Sequence, residues 1–208
     1  MQALISLLNE DIVFHFLLLL ARIISFVAFM PIFSHKSVPA TIRIAFAFFL
    51  SVFLFPLIEV ENIITQDMFI EGLIREITLG LVASFFVTIV FSAVTIIGDL
   101  VGYATALSMA SQFDPATGTQ QGVIGRLLYM IVLVLFFETG MYEVTLVILA
   151  QSFDLIHLGQ FDIFSYDGID IAIDEIQRMF AFAFSFAFPL FFIGFILDIY
   201  YGYGTKSM

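Results

Sequence analysis

Ionisable side chains are scarce in this chain, and many of those able to do chemistry lie in or beside apolar stretches: Arg22, Arg43, Arg75, Glu76, Asp99, Glu138, Glu143, Arg178 and Asp198. A charge at mid-bilayer costs on the order of 3 kcal/mol on insertion scales, so each needs a partner, a water-filled cavity or a nearby helix end. Arg75, Glu76, Arg178 and Asp198 are near enough to the ends of their apolar runs to snorkel to the interface. Arg22, Glu138 and Glu143 are too deep for that and are expected to be buried charges. Two chemistries follow. The glutamates could carry protons, as in a small proton-coupled secondary transporter. Alternatively, these charges pair between helices or between subunits. Pairing is preferred, because the residues do not gather in one region as the ion sites of broken-helix transporters do.

Other chemistries find no residues to support them. His15, His35 and His157 are scattered without companions at ligand spacing, and there is no cysteine, so no metal site is expected. There is no P-loop, no G-x-S-x-G and no H-E-x-x-H. No nucleophile–base set is visible, which argues for a non-enzymatic protein with no cofactor.

The elements that must position these residues are membrane helices. The chain is 62% hydrophobic and only 12% charged, against roughly 25% charged in soluble domains. This is the composition of an all-α integral membrane protein surrounded by membrane lipid. Seven Lys+Arg against 18 Asp+Glu give a net charge of −11, which excludes a nucleic-acid partner. Residues 1–11 carry no positive region of a cleavable signal, so the first apolar segment is expected to stay in the mature protein.

A helix needs about 20 apolar residues to cross a bilayer. The candidate spans are 12–33, 40–58, 73–97, 127–150 and 176–199. The third carries a small-residue ladder, Gly80, Ser84, Thr88 and Ser92, and is expected to be the most heavily packed. In the fifth, FAFAFSFAF alternates like a strand, but the apolar run is too long for one strand, and Phe180, Phe184 and Phe188 also share a helical face. Pro189 is expected to kink it, and Tyr200, Tyr201 and Tyr203 read as an interfacial belt. If the spans alternate, Lys36, the 98–126 stretch and Lys206 fall on the cytoplasmic side and the N-terminus outside.

The stretch GDLVGYATALSMASQFDPATGTQQGVIGR, residues 98–126, is unlike its flanks. Gly98, Gly102, Ala106 and Ala110 fall four apart and form a ridge with little side chain, a helix-packing surface. Pro115 disfavours helix at Asp114, and Gly118, Gly122 and Gly125 allow turns. The intervening loop, Ser111, Gln112, Phe113, Asp114, Pro115, Ala116, Thr117, Gly118, Thr119, Gln120, Gln121 and Gly122, is polar with Phe113 as its one large apolar group. Such a loop either faces water or is buried where protein satisfies its backbone. The residues leave open a plain connector or a loop that enters a pore.

Two stretches carry a family resemblance. ARIISFVAFMPIFSHKSVPATIRIAFAFFLSVFLFP has an Arg inside the first span, a P-I-F close, an S-V-P link, then an Arg and a second span ending in Pro. GDLVGYATALSMASQFDPATGTQQGVIGRLLYMIVLVLFF has a G-x-x-x-G helix leading to Phe, Asp-Pro, a loop and a new span. In this order they resemble the FliR family of flagellar export-gate proteins, whose relatives serve virulence type III secretion. The overall likeness is to the flagellar members. The resemblance implies a single-copy structural and gating subunit that packs hydrophobic helical hairpins into a hetero-oligomeric helical gate with FliP and FliQ, the FliPQR complex, joined by FlhB. It implies that the loop matching residues 108–126 plugs the central pore through which exported flagellar proteins pass. It also implies an inner-membrane location at the flagellar basal body, with a gate largely out of the bilayer plane, which discounts the alternating topology above. Residues 1–208 are expected to form one FliR-type domain lacking the family's C-terminal hydrophobic region.

Overall fold

The computed structural model describes residues 10–34, 38–58, 66–104, 122–162 and 168–206. Every regular element among them is helical: α1 (Glu10–Phe29), α2 (Pro31–Ser34), α3 (Ala40–Leu54) with a 3-10 turn at Phe55–Leu57, α4 (Gln66–Ala104), α5 (Val123–Glu138), α6 (Met141–Leu155) and α7 (Gly168–Lys206). Among the described residues four helices are long and apolar enough to cross a membrane, and α5 with α6 makes a fifth if that pair is one broken span. The all-α membrane reading therefore holds. Two helices are longer than the sequence suggests: α4 and α7 have 39 residues each. At 1.5 Å per residue each is roughly 58 Å long, about twice the hydrocarbon thickness of a bilayer.

The chain divides into two compact units. The first comprises residues up to Thr88 together with Gly140–Asp170, and the second Ile89–Thr139 together with the chain from Ile171 onward. Helix α1 is the centre of the first unit. Leu18, Leu19, Ile23, Phe26 and Val27 are buried and repeat at three- and four-residue spacing, so one broad face is fully covered. Phe16 of α1 meets the rings of Phe48 and Phe55 at 6.0 and 5.6 Å, which seats α3. Helix α1 stops just before Pro31, where the ring disfavours helix at the preceding residue, and Pro31 then opens α2.

The first half of α4 packs on α1 through small residues. A Cβ built on Gly80 would overlap Ser25 Oγ and the Arg22 carbonyl oxygen and lie 3.1 Å from the Phe26 nitrogen. Only glycine lets the two backbones come this close. Ser84, one turn on, is buried, and the rings of Phe14 and Phe69 meet at 4.8 Å.

The second unit has its own core. Ile97 and Val101 of α4 and Ala183 and Ala187 of α7 are buried together, with Ile96, Leu100, Ile124 and Leu128 packed against them. Phe91 adds ring contacts to Tyr129 at 5.5 Å and Phe136 at 5.7 Å on α5. The 180–188 segment is helical, as its length implies, and α7 continues unbroken through Pro189. Its phenylalanines lie outside: Phe182, Phe184, Phe186 and Phe188 are exposed, while Ala183 and Ala187 are buried.

Candidate functional site

Arg22 is fully buried at the centre of the first unit and pairs with the equally buried Glu76 of α4. Its Nε–H donates to Glu76 Oε2 at 2.5 Å and its Nη2 to Glu76 Oε1 at 3.0 Å. The remaining donors reach the C-terminal end of α6: Nη1 to the Ser152 carbonyl at 3.0 Å and Ser152 Oγ at 3.2 Å, and Nη2 to the Ile156 carbonyl at 3.0 Å. These five hydrogen bonds match the five N–H groups of a guanidinium. The Phe153 ring lies 4.2 Å from the guanidinium carbon, a cation–π contact. Glu76 Oε1 also accepts the Gly159 N–H at 2.7 Å. Gly159 takes a left-handed φ of 77°, and its Cα would lie 3.7 Å from a Cβ on Gly72. The last turn of a helix leaves carbonyls without intrahelical partners; here Arg22, on a different helix, satisfies the Ile156 carbonyl and shares the Ser152 carbonyl, which also accepts the Ile156 N–H at 3.0 Å.

In the second unit the 98–126 stretch has a tightly built root. A Cβ on Gly98 would overlap the Gly125 Cα and lie 2.6 Å from its nitrogen, so α4 and α5 touch backbone to backbone. Asp99 Oδ1 is beside the same turn, 3.3 Å from where a Gly125 Cβ would be. Gly122 is the N-cap of α5, extended at φ −61° and ψ 151°, with no side chain to cap the helix, so the Asp99 carboxylate sits where it favours the positive end of the helix dipole. Ala104, the last residue of α4, would have its oxygen 2.6 Å from a Cβ on Gly194 of α7. The chain therefore leaves α4 at Ala104 and returns to the same helix at Gly98 and Asp99. Ala106, Ala110 and the loop residues Ser111 through Gln121 lie outside the described residues. Gly102 is described: a Cβ there meets no described atom within 4 Å.

Residues 13–208 match the family model described as bacterial export proteins, family 1. The chain belongs to this family. It is 30% identical over 201 residues to the flagellar biosynthetic protein FliR of Bacillus subtilis (strain 168), an alignment covering 93% of this chain and 76% of that protein. It is 27% identical over 194 residues to FliR of Aquifex aeolicus (strain VF5), covering 92% and 74%. With FliR of Escherichia coli (strain K12) it shares 25% over 141 residues, covering 67% and 54%.

The structure of this export-family chain corrects several assignments. Glu76 does not snorkel: it is fully buried against Arg22. Its nearness to the acidic 59–72 region is misleading, because the helix starts at Gln66 and carries Glu76 inward to the α1 face. Within this chain Glu138 and Glu143 are not buried. Both are exposed, because the span read as continuous breaks at Gly140, whose φ is 73°. Glu138 ends α5 and Glu143 lies in the first turn of α6, where a carboxylate is favoured by the helix dipole. Tyr142 donates its hydroxyl to Glu143 Oε1 at 2.8 Å. Arg75 and Arg178 stay outside and pair locally, with Glu71 at 2.6 Å and Glu175 at 2.8 Å. The small-residue face of α7, Ala183, Ala187 and Gly194, escapes a reading centred on its phenylalanines; spacings of four and seven were the available signal.

Proposed function

We propose that this chain is a non-enzymatic structural and gating subunit of the flagellar type III protein-export channel in the bacterial inner membrane, at the flagellar basal body. The observation that carries the proposal is the export-family match over residues 13–208, joined to a likeness to flagellar biosynthetic proteins over more than nine-tenths of the chain in two relatives. On this reading the chain assembles with FliP- and FliQ-type subunits and an FlhB-type subunit, and exported flagellar proteins pass through the assembly. Residues 111–122 form a plug, with Phe113 sealing against the pore wall. The loop root supports this role: contacts at Gly98, Asp99, Gly125 and Gly194 fix both ends of the excursion without the loop's help. Within the chain Glu138 and Glu143 are exposed and flank a helix break, which favours the export-gate reading over a proton path inside this chain.

Association is the test. Extracted in mild detergent from cells that make the candidate partners, the chain should migrate in one complex of fixed stoichiometry, read by native mass spectrometry. Purification as a lone chain that moves a small solute in vesicles would refute the assignment.

A further inference from the structure

We propose that the Arg22–Glu76 pair is a latch for α6: it holds the end of α6 and the reversal after it against α1 and α4, and α6 releases as a unit when the pair opens. Helices α1 and α4 have contacts of their own, at Gly80 on the α1 backbone, at Phe14–Phe69, and from Thr88 Oγ1 to the Phe29 carbonyl at 3.4 Å. Helix α6 buries only Leu149 and Phe153, while Val144, Val147, Ile148 and Leu155 are exposed. Leu158 and Phe161 are buried in the reversal that follows, so the attachment is concentrated at one end, where the polar contacts of Arg22 and Glu76 also gather. Three of the five Arg22 hydrogen bonds go to Ser152 and Ile156, and Glu76 holds Gly159. Elements with few buried apolar contacts open first. The acceptors cluster on one guanidinium, so their loss is concerted. Either Arg22 faces Glu76 and the α6 end together, or the Ile156 carbonyl and both buried charges lose that partner at once, while the Ser152 carbonyl keeps only the Ile156 N–H. The latch gives the chain a means of keeping α6 folded back until its final neighbours are in place. That role rests on the export-gate reading, whereas the latch itself does not.

The natural absence of cysteine makes the test direct. Leu149→Cys reports on α6 and Ser84→Cys on the α1–α4 contact; both positions are buried. Each is made in the full chain, in native membranes, and its reaction rate with membrane-permeant N-ethylmaleimide is measured with and without Arg22→Met. Arg75→Met serves as a control that removes an exposed arginine. The latch predicts a rise of at least about tenfold at position 149 and little change at 84, since removing one partner of a buried pair strongly destabilises what the pair holds. Glu76→Gln, which keeps the shape and one acceptor oxygen, should give a smaller rise at 149, and it decides the matter if Arg22→Met does not accumulate. Equal rises at both positions would make the pair a general brace of the unit and overturn the latch. An unchanged rate at 149 would overturn it as well.

Discussion

Gly98→Ala is a one-carbon change with a worked consequence. The added Cβ would overlap the Gly125 Cα and stand 2.6 Å from its nitrogen and 3.2 Å from the Ile124 carbonyl carbon. Carbon atoms rest at about 3.5–4.0 Å, so α4 and α5 must part by roughly 1 Å or more. All three obstructing atoms are backbone, and none can rotate aside. Overpacking of this kind costs about 1–3 kcal/mol, and the better helix propensity of alanine returns up to about 1 kcal/mol. With three backbone obstructions at once the cost is at the upper end, about 2–3 kcal/mol, so the net loss is about 1–2 kcal/mol, a fall in Tm of roughly 2–8 °C for a chain of this size. Heating the detergent-solubilised protein and recording the fraction that still elutes as a single species gives the Tm. Gly202→Ala near the end of α7 is the control: the position is exposed and its Cβ meets no described atom within 4 Å, so its Tm should stay level or rise. A Tm for Gly98→Ala at or above that of the parent chain would refute the backbone contact. Gly102→Leu moves outward along the ridge: recovery of the complex with partner subunits should fall if that part of the ridge is an interface, and normal recovery removes it from the interface.

Two further outcomes bear on the proposed function. Replacing residues 112–121 with a short Gly-Ser link should leave assembly intact and raise the ion conductance of cells expressing the partner subunits, with Phe113→Ala showing a weaker form; parental conductance with normal assembly makes the loop a plain connector. Glu138→Gln and Glu143→Gln should leave assembly and motility near normal, because both side chains are exposed at helix ends and an amide still hydrogen-bonds; complete loss of export from an intact complex would restore the proton-carrier class.

What the sequence discloses depends on how far each residue's partner lies from it. The helices announce themselves through long apolar runs, and Pro31 and Pro39 mark local boundaries that need no tertiary information. Arg22 stands out as a charge too deep to reach water, yet its partner is 54 positions away at Glu76, beside an acidic region that offers a simpler reading. Glu138 and Glu143 look intramembrane only while 127–150 is taken as one helix. The Thr139-Gly140 pair between them was the local clue, because glycine readily supplies the left-handed turn that the break uses. The packing role of Gly98 is legible as a small residue on a ridge, but not its opposite number, Gly125, which reads equally well as loop punctuation.

Helix α7 turns the usual relation between residue size and mutational sensitivity around. Ala183, Ala187 and Gly194 are buried against the rest of the chain, whereas its phenylalanines are exposed. Within this chain, enlarging a small residue on α7 disturbs the fold, because a packed helix contact has no room to give. Shortening a phenylalanine there removes little that the chain itself uses. A tolerance profile along α7 therefore separates two kinds of selection. Constraint at Ala183, Ala187 and Gly194 records folding, whereas constraint at Phe182, Phe184, Phe186 or Phe188 records the surroundings, whether acyl chains or a neighbouring subunit.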